Sequence, residues 1–398
     1  MNNTQRAWAE IDLDKIAQNV REIKNSLKPN VRLMGVVKAD AYGHGVFETA
    51  KTVLESGADA LAVAFIDEAV QLRKCGITVP LLILGNSADD SIDDLLNFDI
   101  TPAVFTFDFA RRLSARATEL GKTAKIHIKT DTGMNRIGFL YGDNGSENLA
   151  TIEKIIEISK LPSIEVEGIF SHFSTSDEAD DSYTRLQFRR FTEMTKTLSE
   201  KGLDIPVKHI ANSAALARFP EMQLDMVRAG VIMYGMYPSS GVDYHGLKLL
   251  PAMTFKTRVI NIKEVDSGAG ISYGRSFVTS KKTKIATIAV GYADGYSRIL
   301  SGKACALVDG VVVNQLGKIC MDQCMIDVTN VNNINIGDEV TLFGTSGDGH
   351  ISIEEVAGKM GTINYEIACI VGKRIPRIYI KDGKPAGSVN YLLGGKDE

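Results

Sequence analysis

The sequence contains few cysteines and prolines and no long hydrophobic run. Its five cysteines are an odd number in 398 residues, which favours a reducing cytoplasm over a disulfide scaffold. No apolar run is long enough for a membrane-spanning helix. The first fifteen residues lack the basic start and apolar stretch of a secretion signal. The net charge of −4 gives no reason to expect binding to nucleic acid or to an anionic membrane.

Two common ligand-binding patterns are also missing. No G-x-G-x-x-G follows the first predicted strand, which weakens the dinucleotide-binding form of an open, doubly wound sheet. The segment CMDQC has three residues between Cys320 and Cys324, with no second pair and no nearby histidine. We therefore predict no metal site.

Short apolar runs alternate with amphipathic stretches from residue 31 to residue 230. The eight runs are 32–39, 60–64, 80–85, 101–105, 124–131, 164–173, 206–213 and 224–230. In one intervening stretch Leu149, Ile152 and Ile156 recur at i, i+3 and i+7, which is typical of a helix. Strands alternating with helices indicate a parallel sheet, and eight units fit a (β/α)8 TIM-type barrel over residues 1–245. An open, doubly wound sheet is the structural alternative.

The pattern changes after about residue 245. Residues 246–398 contain short β-rich runs separated by glycine and Asx turns, which predicts a mostly β C-terminal domain. Asp309 and Gly310 between valines indicate a hairpin, and Ser352 followed by Glu355 indicates a helix start. The alternating segment 7–13 precedes the barrel and could pair with this second domain.

Titratable or hydrogen-bonding groups follow five of the predicted barrel strands. They are Lys38 and Tyr42 after the first strand, Lys129, Asp131 and Arg136 after the fifth, His172 after the sixth, Asn212 and Ser213 after the seventh, and Arg228 and Gly230 at the eighth. Any one of them alone is explained better by an exposed loop. Together they favour a shared site, because a barrel presents its reactive groups at the carboxyl ends of its strands.

The types of these residues fit one chemistry. Lys38, in the stretch VVKADAYGHG, lies where a desolvated lysine can form a Schiff base with a carbonyl. The hydroxyls of Tyr42 and Ser213, with the backbone N–H groups after Arg228, can bind a phosphate. A lysine beside a phosphate site predicts pyridoxal 5'-phosphate. A phosphosugar aldolase, whose lysine attacks the substrate itself, is the alternative from the same residues.

The stretch VVKADAYGHG resembles the pyridoxal-phosphate motif of the alanine racemase family. Further segments resemble family blocks in the same order: HIKTDTGMNRIGF, SHFSTSDE, HIANSAAL, RAGVIMYG, GISYGRSF, AVGYADGYSR, GKICMDQCMIDV and TINYEI. The resemblance runs from about residue 8 to about residue 380. It implies a barrel with a C-terminal β domain, and an enzyme that interconverts L-alanine and D-alanine, which supplies D-alanine for peptidoglycan.

The resemblance also implies roles for individual residues. Lys38 holds the cofactor and is the base for the D-enantiomer, and Tyr273 is the base for the L-enantiomer on the opposite face. Tyr273 and the backbone N–H of Met321, which binds the substrate carboxylate, come from the partner subunit of a homodimer. Arg136 contacts the cofactor oxygen and the substrate. The phosphate is held by Tyr42, Ser213, Gly230, Val231 and Tyr365, with Asn212 nearby.

In this family an arginine faces the pyridine nitrogen, and the matching residue here is Arg228. An arginine only donates hydrogen bonds, so it favours an unprotonated pyridine and a weaker electron sink, which limits side reactions such as transamination. The resemblance implies that His172 links Arg228 to Tyr273 and helps to set the pKa of the tyrosine, because an unperturbed phenol of pKa about 10 is a poor base at neutral pH. Residues next to the site are Lys129, which is carbamylated in some relatives, Cys320 as a small neighbour, and Asp322 as an orienting partner.

Three other functions use similar parts. A decarboxylase of basic amino acids shares the architecture, but it pairs the pyridine nitrogen with an acid where this chain has Arg228. A non-catalytic pyridoxal-phosphate carrier is much shorter and lacks the β domain. Racemisation of serine differs only in the size of the pocket.

Overall fold

The computed structural model describes residues 6–397. Residues 1–5 lie outside the described part. Two sequence predictions include these residues: the barrel domain over 1–245 and the lack of a secretion signal in the first fifteen residues. The described chain forms two compact units. The barrel unit comprises Ile16–Ala41 and Val46–Leu250. The β unit comprises the chain up to Lys15, the short segment Tyr42–Gly45, and the chain from Pro251 onward.

The described chain begins with strand β1 (Ala7–Asp12) and helix α1 (Leu13–Asn25), and the predicted barrel follows. Its strands are β2 (Arg32–Val36), β3 (Ala60–Val63), β4 (Leu81–Ile83), β5 (Thr101–Val104), β6 (Ala124–Asp131), β7 (Phe139–Leu140), β8 (Ile164–Phe170), β9 (Val207–His209) and β10 (Met226–Ala229). Eight of them run parallel in the order β10-β2-β3-β4-β5-β6-β8-β9, and β7 pairs with β6. Asp225 N–H donates to Lys208 O (3.2 Å) between β9 and β10, which nearly closes the barrel.

Helices lie between these strands, as the alternating sequence pattern predicts. They are α3 (Val46–Glu55), α4 (Ile66–Lys74), α5 (Ile92–Asn97), α6 (Phe107–Glu119), α7 (Gly145–Ser159), α8 (Ser182–Glu200) and α9 (Ser213–Arg218), whereas the short segment α2 (Lys38–Tyr42) is a left-handed turn. The buried face of α7 includes Ile152, Ile155 and Ile158, whereas Leu149 is exposed, so the predicted stripe was wrong at its first residue. No helix among residues 6–397 has the length and apolar character needed to cross a membrane.

The β unit contains the C-terminal strands and two further helices. They are β11 (Met253–Val265), β12 (Gly270–Ile271), β13 (Phe277–Val278), β14 (Thr283–Ile288), β15 (Cys305–Val308), β16 (Val311–Leu316), β17 (Cys324–Asp327), β18 (Glu339–Ser346), β19 (Gly349–Ile351), α10 (Ile353–Met360), α11 (Asn364–Ile370), β20 (Arg377–Lys381), β21 (Lys384–Asn390) and β22 (Gly395–Asp397). All the strands except β12 and β13 join β1 in one sheet, which confirms the mostly β C-terminal domain.

Local sequence signals account for several of these elements. Asp309 (φ 47°) and Gly310 (φ 77°) form the two-residue turn between β15 and β16, as their sequence predicts. The Ser352 side chain accepts a hydrogen bond from the Glu355 N–H and caps α10. In the large sheet, β1 lies between β11, to which it is antiparallel, and β20, to which it is parallel.

Candidate active site

Lys38 begins a left-handed turn at the carboxyl end of β2. The strand ends at Val36, earlier than the sequence pattern predicts, because the residues that follow Lys38 have positive φ and cannot continue a strand. These residues are Ala39 (53°), Asp40 (55°), Ala41 (54°) and Tyr42 (54°). A left-handed conformation costs a residue with a Cβ roughly 1–2 kcal/mol. Strain of this kind is maintained only where surrounding contacts compensate it.

Two acidic side chains hold this turn in place. The Glu68 carboxylate accepts hydrogen bonds from Ala39 N–H (2.6 Å) and from Ala64 N–H (2.7 Å), and so ties the turn to the end of β3. Asp40 Oδ1 accepts from Val46 N–H (2.8 Å) at the start of α3. Before Lys38, the Val37 N–H donates to Ala62 O (2.9 Å), so the backbone that carries Lys38 is held on both sides.

Four basic side chains of the barrel unit act electrostatically on His172. Burial keeps the pKa of His172 well below its usual value, and the positive charges of Arg228, Arg136, Lys129 and Lys38 lower it further. His172 is consequently neutral at pH 7. A concentration of positive charge of this kind at the carboxyl end of a barrel is suited to an anionic ligand.

Arg228 is buried at the centre of this cluster. Its NH1 donates to His209 Nδ1 (2.7 Å), and its NH2 donates to Ser171 O (2.8 Å), Ile210 O (3.0 Å) and His172 Nδ1 (3.2 Å). Burial lowers the pKa of Arg228 to about 9, so the guanidinium stays protonated at neutral pH. These contacts fix its orientation, and none of its partners is a carboxylate.

Lys129 lies on β6 with its amine inside the barrel unit. Its Nζ donates to Thr130 O (2.5 Å) and lies 5.5 Å from the centroid of the Phe170 ring. Burial lowers the pKa of Lys129 to about 7, and the charges of Arg228 and Arg136 assist this against the opposing effect of a nearby aspartate. A large share of the amine is therefore uncharged at neutral pH and can act as a nucleophile.

Hydrogen-bonding groups that follow β9 and β10 form a second polar cluster in the barrel unit. Ser213 is the first residue of α9, and its Oγ accepts from Gly230 N–H (2.8 Å). Val231 begins a 3-10 turn immediately afterwards. The Asn212 oxygen caps α9 by accepting from Ala215 N–H (3.0 Å). The Ser213 hydroxyl can still donate its proton, and within residues 6–397 the Val231 N–H has no acceptor, so these two donors are available to an anion.

In the β unit, Tyr42 and Tyr365 lie near one another. Their ring centroids are 6.1 Å apart with an interplanar angle of 48°. Burial raises the pKa of Tyr42 above its usual range, so its hydroxyl stays protonated. A protonated phenol can donate a hydrogen bond to a phosphate oxygen.

The loops that carry Tyr273 and Met321 contact each other in the β unit. Ser272 Oγ donates to Lys318 O (2.7 Å) and lies 3.8 Å from Cys320 Sγ. The Tyr273 and Met321 side chains are 71% and 52% exposed. Within residues 6–397 the Met321 N–H has no hydrogen-bond acceptor.

Asp294, which sequence reasoning did not single out, braces the Met321 loop. It is fully buried and accepts hydrogen bonds from both terminal nitrogens of Arg6 and from Gly291 N–H (3.0 Å). Its carboxylate also pairs with Arg374 (3.5 Å), which in turn donates to Asp322 (2.7 Å). This network fixes Asp322, the residue after Met321. In the described chain no group of three or more His, Cys, Asp or Glu side chains could hold a metal ion.

Comparison with known protein families fits this arrangement. The family model for the alanine racemase N-terminal domain matches residues 11–238, and the model for the alanine racemase C-terminal domain matches residues 252–379. The chain belongs to the alanine racemase family. Most of both units therefore lies within the matched domains.

Individual members of the alanine racemase family are similar over nearly their whole length. An alanine racemase of Clostridium perfringens (strain ATCC 13124) is 49% identical over 385 residues, which are 97% of this chain and 98% of that protein. A solved alanine racemase structure from Clostridium difficile 630 has a TM-score of 0.93 at 42% identity, and covers 98% of this chain and 100% of that one. The alanine racemase from Bacillus anthracis with bound L-Ala-P has a TM-score of 0.89 at 42% identity, with 98% of each chain covered.

The candidate residues that the family motifs indicate occur as two groups within the chain. The barrel unit contains Lys38, Lys129, Arg136, His172, Asn212, Ser213, Arg228, Gly230 and Val231. The β unit contains Tyr42, Tyr273, Cys320, Met321, Asp322 and Tyr365. Sequence reasoning missed Glu68 and Asp294, because a single acidic residue in a helix or turn gives no signal of the backbone groups that it binds.

Proposed function

We propose that this protein racemises alanine with pyridoxal 5'-phosphate bound in the barrel unit. The observation that carries the proposal is the guanidinium of Arg228, which is buried, held by neutral partners and 3.2 Å from His172 Nδ1, in a chain of the alanine racemase family. When bound, the cofactor draws electrons away from the α-carbon of an amino acid and makes its α-proton removable. The chain's own residues would position the substrate and move the proton.

The donor groups of the site fit this cofactor. Lys38 supplies an amine for its carbonyl, and Arg228 supplies a fixed N–H donor for its pyridine nitrogen. The residues proposed for the phosphate are Tyr42, Ser213, Gly230, Val231 and Tyr365, with Asn212 beside them. Tyr42, Ser213 and Tyr365 each offer a hydroxyl and Val231 offers an N–H group, which suits an anion that only accepts hydrogen bonds. The Gly230 N–H donates to Ser213 Oγ and so orients that hydroxyl.

Arg228 favours racemisation over the chemistry of the related decarboxylases. A protonated guanidinium beside the pyridine nitrogen disfavours a proton on that nitrogen, since the two positive charges would repel. By this contact Arg228 would keep negative charge nearer the α-carbon of the bound amino acid. Reprotonation at that carbon is the result that a racemase requires.

Two bases on opposite faces would exchange the proton. Lys38 takes the α-proton of the D-enantiomer, and Tyr273 takes that of the L-enantiomer. Because Arg228 donates to Nδ1 of His172, the neutral imidazole carries its proton on Nε2. That N–H is the donor that a deprotonated tyrosine base needs.

The active form would be a homodimer with shared sites. The exposed side chain of Tyr273 and the N–H of Met321 without an acceptor suit contact with a second subunit. We propose that they complete the barrel site of that subunit, with the Met321 N–H on the substrate carboxylate and Arg136 on the opposite side of the substrate. Cys320 and Asp322 would shape the same loop.

Lys129 would be carbamylated. Its largely uncharged amine can react with CO2, and the resulting carbamate would place a negative charge beside Arg136 and Arg228. Mass spectrometry of the native protein should show one added CO2, which acid treatment releases. A native mass that corresponds to unmodified protein would remove this part of the proposal.

The decisive experiment is the loss of optical rotation with a panel of L-amino acids. We expect rapid loss with L-alanine, slower loss with L-serine, and no CO2 release from L-lysine or L-arginine. A panel without any loss of rotation, or with CO2 release, would refute the proposed racemase activity.

A supply of D-alanine for peptidoglycan is proposed from the same activity. The cytoplasmic location stays a prediction.

A further inference from the structure

A line of four side chains crosses the interior of the barrel unit. Arg228 NH1 lies 2.7 Å from His209 Nδ1, and His209 Nε2 lies 2.9 Å from His127 Nδ1. His127 Nε2 in turn lies 3.7 Å from the Glu167 carboxylate. The line starts at Arg228 on β10 and ends at Glu167 on β8. Of its members, only Arg228 belongs to the candidate residues of the active site.

The donor at one end of this line sets every proton along it. Arg228 can only donate, so His209 Nδ1 must be an acceptor, and a neutral His209 carries its proton on Nε2. His209 then donates to His127 Nδ1, and His127 carries its own proton on Nε2, towards Glu167. Burial lowers the pKa of both histidines, which keeps them uncharged.

The backbone is shaped to admit this line. Val166 pairs with Ile126 and Gly168 with His127, so Glu167 is the extra residue of a β-bulge in β8. A bulge of this kind redirects a side chain. At Gly168, a Cβ would lie 2.5–2.7 Å from the His127 ring atoms, closer than real Cβ atoms come. The bulge brings Glu167 to the line, and the glycine leaves room for the His127 ring.

The opposite charges of Arg228 and Glu167 at the two ends of the line indicate an electrostatic role in addition to packing. Within residues 6–397 no carboxylate pairs directly with Arg228, although its guanidinium is buried. The Glu167 carboxyl has a lowered pKa, first through its contact with His127 and then through Lys125 and Arg32, so it is ionised. Every donor in the line points from the buried cation towards this anion.

We propose that Glu167 and His127 are positioning residues for Arg228. Acting through His209, they hold the guanidinium in one orientation. They also keep His209 Nδ1 unprotonated, so that this nitrogen accepts a hydrogen bond from Arg228. The contact between Arg228 and the cofactor is part of the proposed function, so any effect of Glu167 and His127 on catalysis rests on that function. The positions of the protons on His127 and His209 do not depend on it. His209 also stacks on Phe170 (centroids 4.9 Å apart, 6° between planes), which fixes the ring that connects the two ends.

The test is nitrogen NMR of the full-length holoprotein, labelled with 15N in its histidine rings. The chain has six histidines, so the ring signals can be assigned with single substitutions at the other four. We expect His127 and His209 to be neutral, with the proton on Nε2, from pH 6 to pH 8. A proton on Nδ1 of either ring, or a doubly protonated ring, would overturn the proposal. This measurement needs no turnover, so it remains decisive if the racemase assay fails.

A matched pair of variants separates positioning from a general effect of charge. Glu167→Gln and Glu165→Gln each remove one negative charge from β8, but Glu165 is exposed and lies outside the line. We expect Glu167→Gln to shift the ring signals of both histidines and to lower kcat about tenfold with little change in KM. Glu165→Gln should change neither. Unchanged signals and unchanged kcat in Glu167→Gln, or equal effects of the two variants, would refute the role of Glu167.

Discussion

The guanidinium of Arg228 donates to Nδ1 of His209 across 2.7 Å, and this bond determines where the buried imidazole carries its proton. The partners of Arg228 are two imidazoles and the carbonyl oxygens of strand ends, all of them uncharged. Its positive charge is consequently oriented by its neighbours without being cancelled by direct contact. A guanidinium without a carboxylate in direct contact can lower the pKa of a neighbouring ring nitrogen more strongly than one that is paired with a carboxylate.

Borohydride should fix the cofactor to Lys38. Reduction of a Schiff base gives a stable secondary amine, so a peptide map of the reduced holoprotein should show the label only on the peptide that contains this residue. Lys38→Ala should lose the label, whereas Lys51→Ala, an exposed lysine of α3, should keep it. A label on any other peptide would refute the proposed attachment.

Tyr273→Phe should abolish turnover while the cofactor stays bound. The change removes one hydroxyl from an exposed side chain, so we expect the fold to be intact and kcat to fall by about 10²–10⁴ in both directions. Turnover is measured with each enantiomer, and cofactor content is measured from visible absorption. Tyr391→Phe, in the same unit, is the control and should behave like wild type. Retained turnover of both enantiomers by Tyr273→Phe would contradict the two-base scheme.

Gly168→Ala should destabilise the protein. The new methyl group would collide with the His127 ring, which cannot move without breaking its bond to His209, and overpacking of this kind costs about 1–3 kcal/mol. Urea denaturation of both proteins measures the difference in free energy of unfolding. Gly241→Ala is the matched control, because no atom lies within 4 Å of the added Cβ. Equal stability of the two variants would mean that the ring has room to shift.

Lys129 should make stability increase with pH. Its pKa falls from 10.5 in the unfolded chain to about 7 in the folded protein, so between these values the unfolded chain binds more protons. The free energy of unfolding should then rise by about 1.4 kcal/mol per pH unit in this window, from this residue alone. The slope is measured by urea denaturation in CO2-free buffer and compared with that of Lys129→Met. If the two slopes agree, the buried amine does not titrate as expected.

The sequence predicts the barrel well because each strand has a separate apolar run. Buried parallel strands such as Ala60–Val63 are apolar on both faces, and a turn or helix separates each from the next. The order of pairing in the β unit was not predictable in the same way. Strand β1 pairs with β11 and β20, and nothing in its alternating sequence specifies partners so far along the chain.

The candidate site was only partly predictable from its residues. Lys38, His172 and Arg228 follow strands and could be collected by that rule, whereas Tyr273, Met321 and Tyr365 came from the family resemblance alone. Glu167 was missed because strict alternation along β8 gives it the same face as the exposed Glu165, and the sequence does not reveal the bulge that redirects it. Pattern reasoning assumes regular strands, so it fails where a strand is irregular.

The pairing of β1 also constrains the order of events during synthesis. Ala7–Asp12 leaves the ribosome before the barrel, whereas its partners Met253–Val265 and Arg377–Lys381 are made after the barrel. The nascent chain must therefore carry an unsatisfied strand edge through most of translation, and such edges invite pairing with other chains. Truncation before Arg377 would leave that edge permanently open on one side, so chains released early should depend on chaperones or aggregate.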